Sequence, residues 1–344
     1  MSIAPQPKRR LWIWWLWLAL FYGAWAILVF GQDRWQAVKE HWPIAVAMAL
    51  GSYAAGSTPM GGGTIGFPIL VLLFDQPAQL GRDFSFAVQS IGMTSASLFI
   101  LARRQPLAWA MLKGSLVGSL IGTPLGILLI APHVPALWIK LLFAIVWGSF
   151  GILHVRRIGE ISAHEGMTEF DEHWDWKVGL AVGGLAGATV ASVTGVGIDM
   201  VIYTVLVLLC RADLKIAIPT SVVIMAFTSL VGIATKTFLT GVQPGVFENW
   251  LAAAPIVALG APLGAFVVDY IGRKPTLLFV AFLCVGQLVW TLTEEWKELG
   301  RVGLAISFVA LGLCLFGFER LRVYGAVLVG EVKARRGDRV ESET

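Results

Sequence analysis

The feature that most constrains this chain is the recurrence of apolar runs long enough to cross a lipid bilayer. A helix that crosses about 30 Å of hydrocarbon needs roughly 17 to 25 apolar residues, and such runs recur along nearly the whole sequence. Apolar residues make up 57% of the 344 positions and charged residues only 14%, a balance that water-soluble domains do not have. The sequence therefore predicts an all-α polytopic membrane protein.

Charged residues, prolines and glycines divide the apolar sequence into candidate membrane segments. These segments are residues 11–30, 43–74, 84–102, 106–130, 135–153, 177–210, 214–235, 246–268, 275–292 and 302–318.

Two of the segments are too long to be one helix. Residues 43–74 contain three consecutive glycines at 61–63, and residues 177–210 are centred on Gly195 and Gly197. Glycine and proline weaken or interrupt a helix. Each of these segments is therefore expected to be two short arms joined at a glycine break.

Basic residues give the orientation, because short cytoplasmic loops of membrane proteins are enriched in lysine and arginine. With the basic clusters inside the cell, the number of crossings is consistent only if both broken segments return to the side they entered from. This predicts eight full spans, two re-entrant hairpins and cytoplasmic termini in a cell inner (cytoplasmic) membrane. The clusters are residues 8–10, 103–104, 156–157, 273–274 and 320–339.

An internal repeat points to the same architecture. The sequence GTPLG at residues 122–126 recurs as GAPLG at residues 260–264, and we expect these glycines to serve helix packing. Each repeat would be a re-entrant broken-helix hairpin plus three transmembrane helices. Three crossings are an odd number, so the second repeat is inverted, as in many secondary transporters.

The predicted organisation adds one extra helix at each end of the repeats. It consists of an N-terminal tail and first helix (1–42), a first repeat (43–153), a cytoplasmic linker (154–176), a second repeat (177–292), and a last helix with a cytoplasmic tail (293–344).

The glycine breaks are the predicted substrate site, because discontinuous helices meet near the midplane in such folds. Arms that begin at Thr64 and Ile198 would direct free backbone N–H groups and positive dipole ends at an anion. The alternative is that the small residues only allow tight packing. The candidate substrate-binding residues are Ser57, Thr58, Gly61, Gly62, Gly63, Thr64, Gln89, Ser90, Ser192, Thr194, Gly195, Gly197, Thr220 and Ser221.

Asp199 is a carboxylate deep in an apolar stretch, where ionisable residues are costly and usually functional. It is the candidate for proton coupling. The alternative is that it caps the helix that follows Gly197.

Other classes of function find little support. The chain contains no phosphate-binding GxxxxGK[ST] loop, no HExxH and no serine-elbow motif, so we expect neither an enzyme nor a cofactor. The cysteines are isolated, and His154, His164 and His173 fall in the linker, so no metal site is predicted. The net charge of +4 resides mainly in loops and termini and indicates topology, not nucleic-acid binding.

Two sequence blocks resemble the TauE/SafE family of sulfite and organosulfonate exporter-type permeases. They are GSTPMGGGTIGFPIL at 56–70 and ASVTGVGIDMVIYTVL at 191–206, each followed by a polar pair, 89–90 and 220–221. The resemblance covers roughly residues 43–292. It implies a secondary transporter for sulfite, sulfoacetate or another organosulfonate, driven by H+, Na+ or the membrane potential.

The chain departs from that family pattern in three respects. Ile198 and Asp199 follow Gly197 where the family usually has further glycine, and extra spans flank the repeats. Neither glycine break carries a cysteine, unlike the thiosulfate-uptake relatives. An anion channel and a membrane accessory or assembly factor remain alternatives, and the sequence leaves open the anion, the direction, the coupling ion and the oligomeric state.

Overall fold

The structure, a computed structural model, describes residues 10–168 and 170–343. This part of the chain is helical almost throughout and contains no β-strand. The helices are α1 (Leu11–Gly31), α2 (Trp35–Glu40), α3 (Trp42–Ser57), α4 (Gly63–Pro68), α5 (Ala78–Ala102), α6 (Trp109–Leu129), α7 (Ala136–Ile161), α8 (Glu172–Ala186), α9 (Ser192–Thr194), α10 (Ile198–Thr204), α11 (Leu214–Thr235), α12 (Val246–Ile271), α13 (Arg273–Glu294) and α14 (Trp296–Glu343).

Nine helical segments among the described residues are long and apolar enough to cross a bilayer. This confirms the predicted all-α polytopic membrane fold. Eight of them are predicted full spans, and the ninth is Glu172–Thr194, the first arm of the second broken segment. The second arms are shorter continuous helices, Gly63–Leu73 and Ile198–Leu209.

Both long segments are broken at the glycines. Between α3 and α4, Thr58 is extended, with φ of −139° and ψ of 164°, and no helix forms until Gly63. Between α9 and α10, Gly195 and Gly197 have φ of +81° and +99°. Side chains disfavour that left-handed backbone, so the second break requires glycine.

The two ends of the second broken segment lie together. The Thr168 backbone N–H, just before α8, donates to the Cys210 carbonyl at 3.2 Å, just after the second arm. The Asp213 N–H donates to the Gly166 carbonyl at 2.6 Å. We call this the linker end of the helix bundle.

The two ends of the first broken segment lie together at the opposite end. His41 before α3, Phe74 after the second arm and Leu80 on α5 line one groove. Helix α5 then runs to the linker end, where the Ala108 N–H donates to the Thr220 hydroxyl near the start of α11 at 3.0 Å. The two hairpins thus open toward opposite ends of the bundle.

Helix pairs recur when the two halves are exchanged. The most extensive contacts are α6 with α8 and α12 with α3, and α5 pairs with α11 as α7 pairs with α13. Exchanging each helix for its counterpart in the other predicted repeat turns the α6–α8 pair into the α12–α3 pair and leaves the α5–α11 and α7–α13 pairs unchanged. This pattern supports the inverted repeat, which stays a prediction.

The repeated glycine motifs lie in the two largest helix contacts. Gly122 faces the backbone of Gly184, and Gly126 faces that of Ala188, so α6 and α8 run parallel and nearly touch. Gly264 faces the Tyr53 backbone in the equivalent contact of α12 with α3. The GTPLG and GAPLG glycines therefore serve packing.

The connection between the halves is shorter than the sequence suggests. Helix α7 continues to Ile161 and α8 begins at Glu172, so the loop is residues 162–171 and not 154–176. His154 is buried within α7, where its Nε2 lies 3.1 Å from the Tyr203 hydroxyl. Helix α7 continues beyond residue 153, where the apolar stretch ends in the sequence.

A matched glycine pair tests the close contact of α6 with α8. Gly122→Ala places a Cβ against the Gly184 backbone, and overpacking of this kind costs about 1 to 3 kcal/mol. Gly184→Ala leaves 3.6 Å to its nearest neighbour, the Gly118 carbonyl oxygen, and is expected to be neutral. The thermal midpoints of the two purified variants check this, and equal midpoints would contradict the packing role.

Single-cysteine labelling tests the two hairpin openings in a cysteine-free background. We expect Gln36→Cys and Gln76→Cys, which flank the first broken segment, to react with a membrane-impermeant maleimide from one side. Ala163→Cys and Lys215→Cys, which flank the second, should react from the other side. If either pair splits between the two sides, that segment crosses the membrane and does not return.

Candidate functional site

The two glycine breaks meet against one stretch of α5. The Gly63 Cα faces the Ser85 side chain from the first break, and the Gly195 Cα faces the Arg82 backbone and the same serine from the second. One turn later, the Gln89 Nε2 donates to the Gly195 carbonyl at 3.4 Å. Residues more than a hundred positions apart in the sequence thus form one buried centre.

Two unpaired oxygens converge on Gly61. A Cβ at this position, where φ is +62°, would lie 2.9 Å from the Asp199 Oδ2 and would also collide with the Gln89 Oε1. Among the described residues neither oxygen has a hydrogen-bond partner, and both are buried. Glycine alone leaves room for them, and a buried unpaired acceptor is costly unless a donor joins it.

Asp199 lies at the start of the second arm. Its Oδ1 accepts a hydrogen bond from the Met200 backbone N–H at 3.0 Å, and its side chain is fully buried. The carboxylate therefore occupies the place where the first N–H groups of the arm would bind an anion. Both alternatives in the sequence, helix capping and proton uptake, are compatible with this position.

Trp147 on α7 joins the two breaks. Its indole Nε1 donates to the Thr64 hydroxyl at 2.7 Å, and its ring edge faces the Cα of Gly197. The ring stacks on Phe143 with centroids 4.1 Å apart, and Phe143 stacks on Phe67 at 4.5 Å. This apolar column holds the first arm against α7.

The candidate hydroxyls donate to backbone carbonyls of their own helices or breaks. To donate to a ligand, each would have to rotate, whereas its oxygen can still accept. The donor and acceptor pairs are Ser57 with Tyr53, Thr58 with Ala54, Thr64 with Met60, Ser90 with Ala87, Ser192 with Ala188, Thr194 with Val190 and Val196, Thr220 with Ile216, and Ser221 with Ile218.

The polar pairs of the repeat are placed unequally. Gln89 reaches both breaks through Gly61 and Gly195. Thr220 instead accepts from the start of α6, and the hydrogen bonds of Ser90 and Ser221 stay within their helices. Gln89 is therefore the member of these pairs that contributes to the centre.

The centre is closed in this conformation. Beside Gly62 and Gln89 lies a cavity of only about 10 Å³, room for about one water molecule. This conformation has no room for an anion in that cavity.

Three charged residues next to the second break escape the sequence prediction. Helix α5 begins at Ala78 and not at residue 84, so Arg82 and Asp83 lie inside the helix and are buried. The Asp83 carboxylate pairs with Arg82 at 2.8 Å and with Lys236, the residue directly after α11, at 3.2 Å. In the sequence, charged residues at the edge of an apolar run look like loop residues. Their burial becomes evident only from their contacts with neighbouring helices in the structure. Trp147 lies inside the predicted span 135–153, and only its contacts with the two breaks distinguish it from the other apolar residues of that span.

A comparison with family models matches residues 43–290 to "Sulfite exporter TauE/SafE". Neither a curated protein nor a solved structure matches the chain. The matched region contains both glycine breaks, the first predicted repeat and all but the last two residues of the second, and it is well over half of the 344 residues. The chain belongs to the TauE/SafE family, whose members are membrane transporters of the sulfite-exporter type.

Proposed function

We propose that the protein is a secondary transporter that exports a small anion, such as sulfite, sulfoacetate or another organosulfonate, across the inner membrane. The observation that carries this proposal is the meeting of two broken hairpins, open toward opposite ends, at one buried centre. Secondary transporters bind substrate where broken helices of two repeats meet. Here each repeat supplies one break.

The anion would bind at the starts of the two second arms, Gly63–Leu73 and Ile198–Leu209. The first N–H groups of a helix have few partners within the helix, and the dipole adds about half a positive charge there. In the first arm the N–H groups of Thr64 and Ile65 donate to the carbonyls of Gly61 and Gly62 at 3.3 and 3.2 Å, bonds that an anion would replace. Glycines let the backbone approach the ligand closely. The Gln89 amide, which already reaches both breaks, adds a movable donor.

Asp199 would couple transport to protons. While ionised, its carboxylate holds the Met200 N–H and repels a second anion. Once protonated on Oδ2, which has no hydrogen-bond partner among the described residues, it no longer repels the anion and can itself donate to the anion or to the facing Gln89 oxygen, while Oδ1 keeps the Met200 N–H. Proton uptake and anion binding would then favour one another, and Na+ is the alternative coupling ion.

Access would alternate by movement of one repeat against the other. In this scheme residues 43–153 and 177–292 are the inverted repeats, and the linker end, with both termini, is cytoplasmic. The closed centre favours a carrier over an anion channel, because a channel needs a continuous open path.

Transport of radiolabelled sulfite and sulfoacetate into proteoliposomes, under imposed pH and potential gradients, tests the function. We expect gradient-driven accumulation, which Gly62→Val should abolish because its side chain would meet Met48 and Ala55 across the first break. Gly286→Val is the matched control, since the Gly286 Cα faces open space. Asp199→Asn should keep exchange but lose the response to a pH gradient.

A counterflow experiment distinguishes a carrier from an anion channel. A carrier exchanges labelled for unlabelled anion, whereas a channel only dissipates the gradient. If no sulfur oxyanion or carboxylate moves, or if Gly286→Val is as inactive as Gly62→Val, the proposal is wrong.

Trp147→Phe tests the link between the two breaks. The phenyl ring keeps the stack on Phe143 but removes the hydrogen bond to Thr64, worth about 1 kcal/mol. We expect the transport rate to fall several-fold, while Trp138→Phe, at an exposed position on the same helix, leaves it unchanged. Equal rates would remove Trp147 from the site.

A further inference from the structure

A buried cluster of two cations and one carboxylate lies beside the second glycine break. Arg82, Asp83 and Lys236 are 5%, 0% and 5% exposed. The Asp83 carboxylate contacts both cations and also accepts the Gln243 backbone N–H at 3.1 Å. The charges do not cancel, because two positive groups and one negative group leave one positive charge.

Among the described residues, the ion pairs of both cations lead to the same carboxylate, Asp83. The charged groups that act on the Lys236 ammonium are Asp83 and Arg82. The Arg82 guanidinium contacts Asp83 through Nε, and its two Nη atoms carry four further N–H donors. An unbalanced charge is costly in a nonpolar interior, and a guanidinium with further donors is suited to a planar or tetrahedral oxyanion.

The cluster lies between the opposite end of the bundle and the predicted substrate site. The backbone of Arg82 faces Gly195, and Ser85, one turn along, faces both breaks. On its other side, Asp83 holds the loop through Gln243, next to Pro244, which lines the groove at the opposite end. The cluster is therefore close to the second break on one side and to the groove at the opposite end on the other.

We infer that Arg82 and Lys236, held in place by Asp83, form a second anion-binding subsite that selects anions with a single negative charge. Hydrogen sulfite and simple sulfonates carry one charge and would neutralise the cluster, whereas sulfate, fully deprotonated sulfite and sulfoacetate carry two and would overcompensate it. Among the anions of the proposed function, the cluster therefore favours hydrogen sulfite or a simple sulfonate over sulfoacetate. Asp83 is then a specificity-determining residue, because it sets the net charge at +1. The inference rests on the proposed function for its place in transport, but anion binding at the cluster can be measured without it.

The test is anion binding to the purified full-length protein by titration calorimetry, with methanesulfonate as the singly charged probe and sulfate as the doubly charged one. Arg82→Gln and Lys236→Gln bring the net charge to zero and should raise the Kd for methanesulfonate about tenfold or more. Asp83→Asn brings it to +2 and should shift preference toward sulfate. Arg82→Gln with Asp83→Asn restores +1 and should recover much of the methanesulfonate affinity.

Two variants separate a charge effect from a folding effect. Lys236→Arg keeps the charge and should bind like the unaltered protein. Lys140→Gln breaks the pair of Lys140 with Glu295, a one-to-one ion pair elsewhere in the bundle, and should leave both Kd values unchanged. If the Kd does not follow the net charge, or if it rises equally in Lys140→Gln, the cluster only stabilises the fold.

Transport by the unaltered protein distinguishes the two proposals. If it moves sulfite while the cluster variants bind as before, the subsite is wrong and the transporter stands. If binding follows the charge but no anion is transported, the subsite stands and the transporter is wrong.

Discussion

The structure depends on one constraint: backbone N–H and C=O groups need partners at a depth where water is scarce. Two helix breaks in the middle of the bundle leave such groups without helical partners. Gln89 donates to the Gly195 carbonyl, the Thr194 hydroxyl donates to the Val196 carbonyl at 3.0 Å, and Asp199 accepts the Met200 N–H. Polar side chains thus stabilise a backbone that can equally offer its groups to a ligand.

The close helix contacts keep the breaks in register. Glycines on α6 and α12 let each helix approach the first arm of the other half's hairpin to backbone contact. At this short distance the two backbones gain van der Waals contacts with each other, which a larger side chain at the glycine position would prevent. Each half therefore packs against the hairpin of the other half. If one half moved, the break of the hairpin packed against it would move as well.

The sequence predicts those parts of this fold that composition and local chemistry control. Apolar length predicts the spans, and clustered glycines predict both breaks. At the second break, Gly195 and Gly197 adopt a left-handed backbone that side chains disfavour. It does not predict the centre itself. Gln89 and Thr220 look equivalent in the sequence, but only Gln89 contacts the breaks. Arg82, Asp83 and Lys236 look like loop residues, because their burial depends on the helices that surround them.

The two sources of positive potential differ in a way that suits transport. Helix starts and amide groups carry partial charges, so they bind an anion without holding it as a buried, unpaired lysine would. In the cluster, Asp83 offsets one of two full positive charges, so the remaining attraction for an anion is also moderate. Passage requires binding strong enough for entry and weak enough for release. In the proposed scheme, a negative group at each anion site, Asp199 at the break and Asp83 beside it, would keep the affinity of both sites within that range.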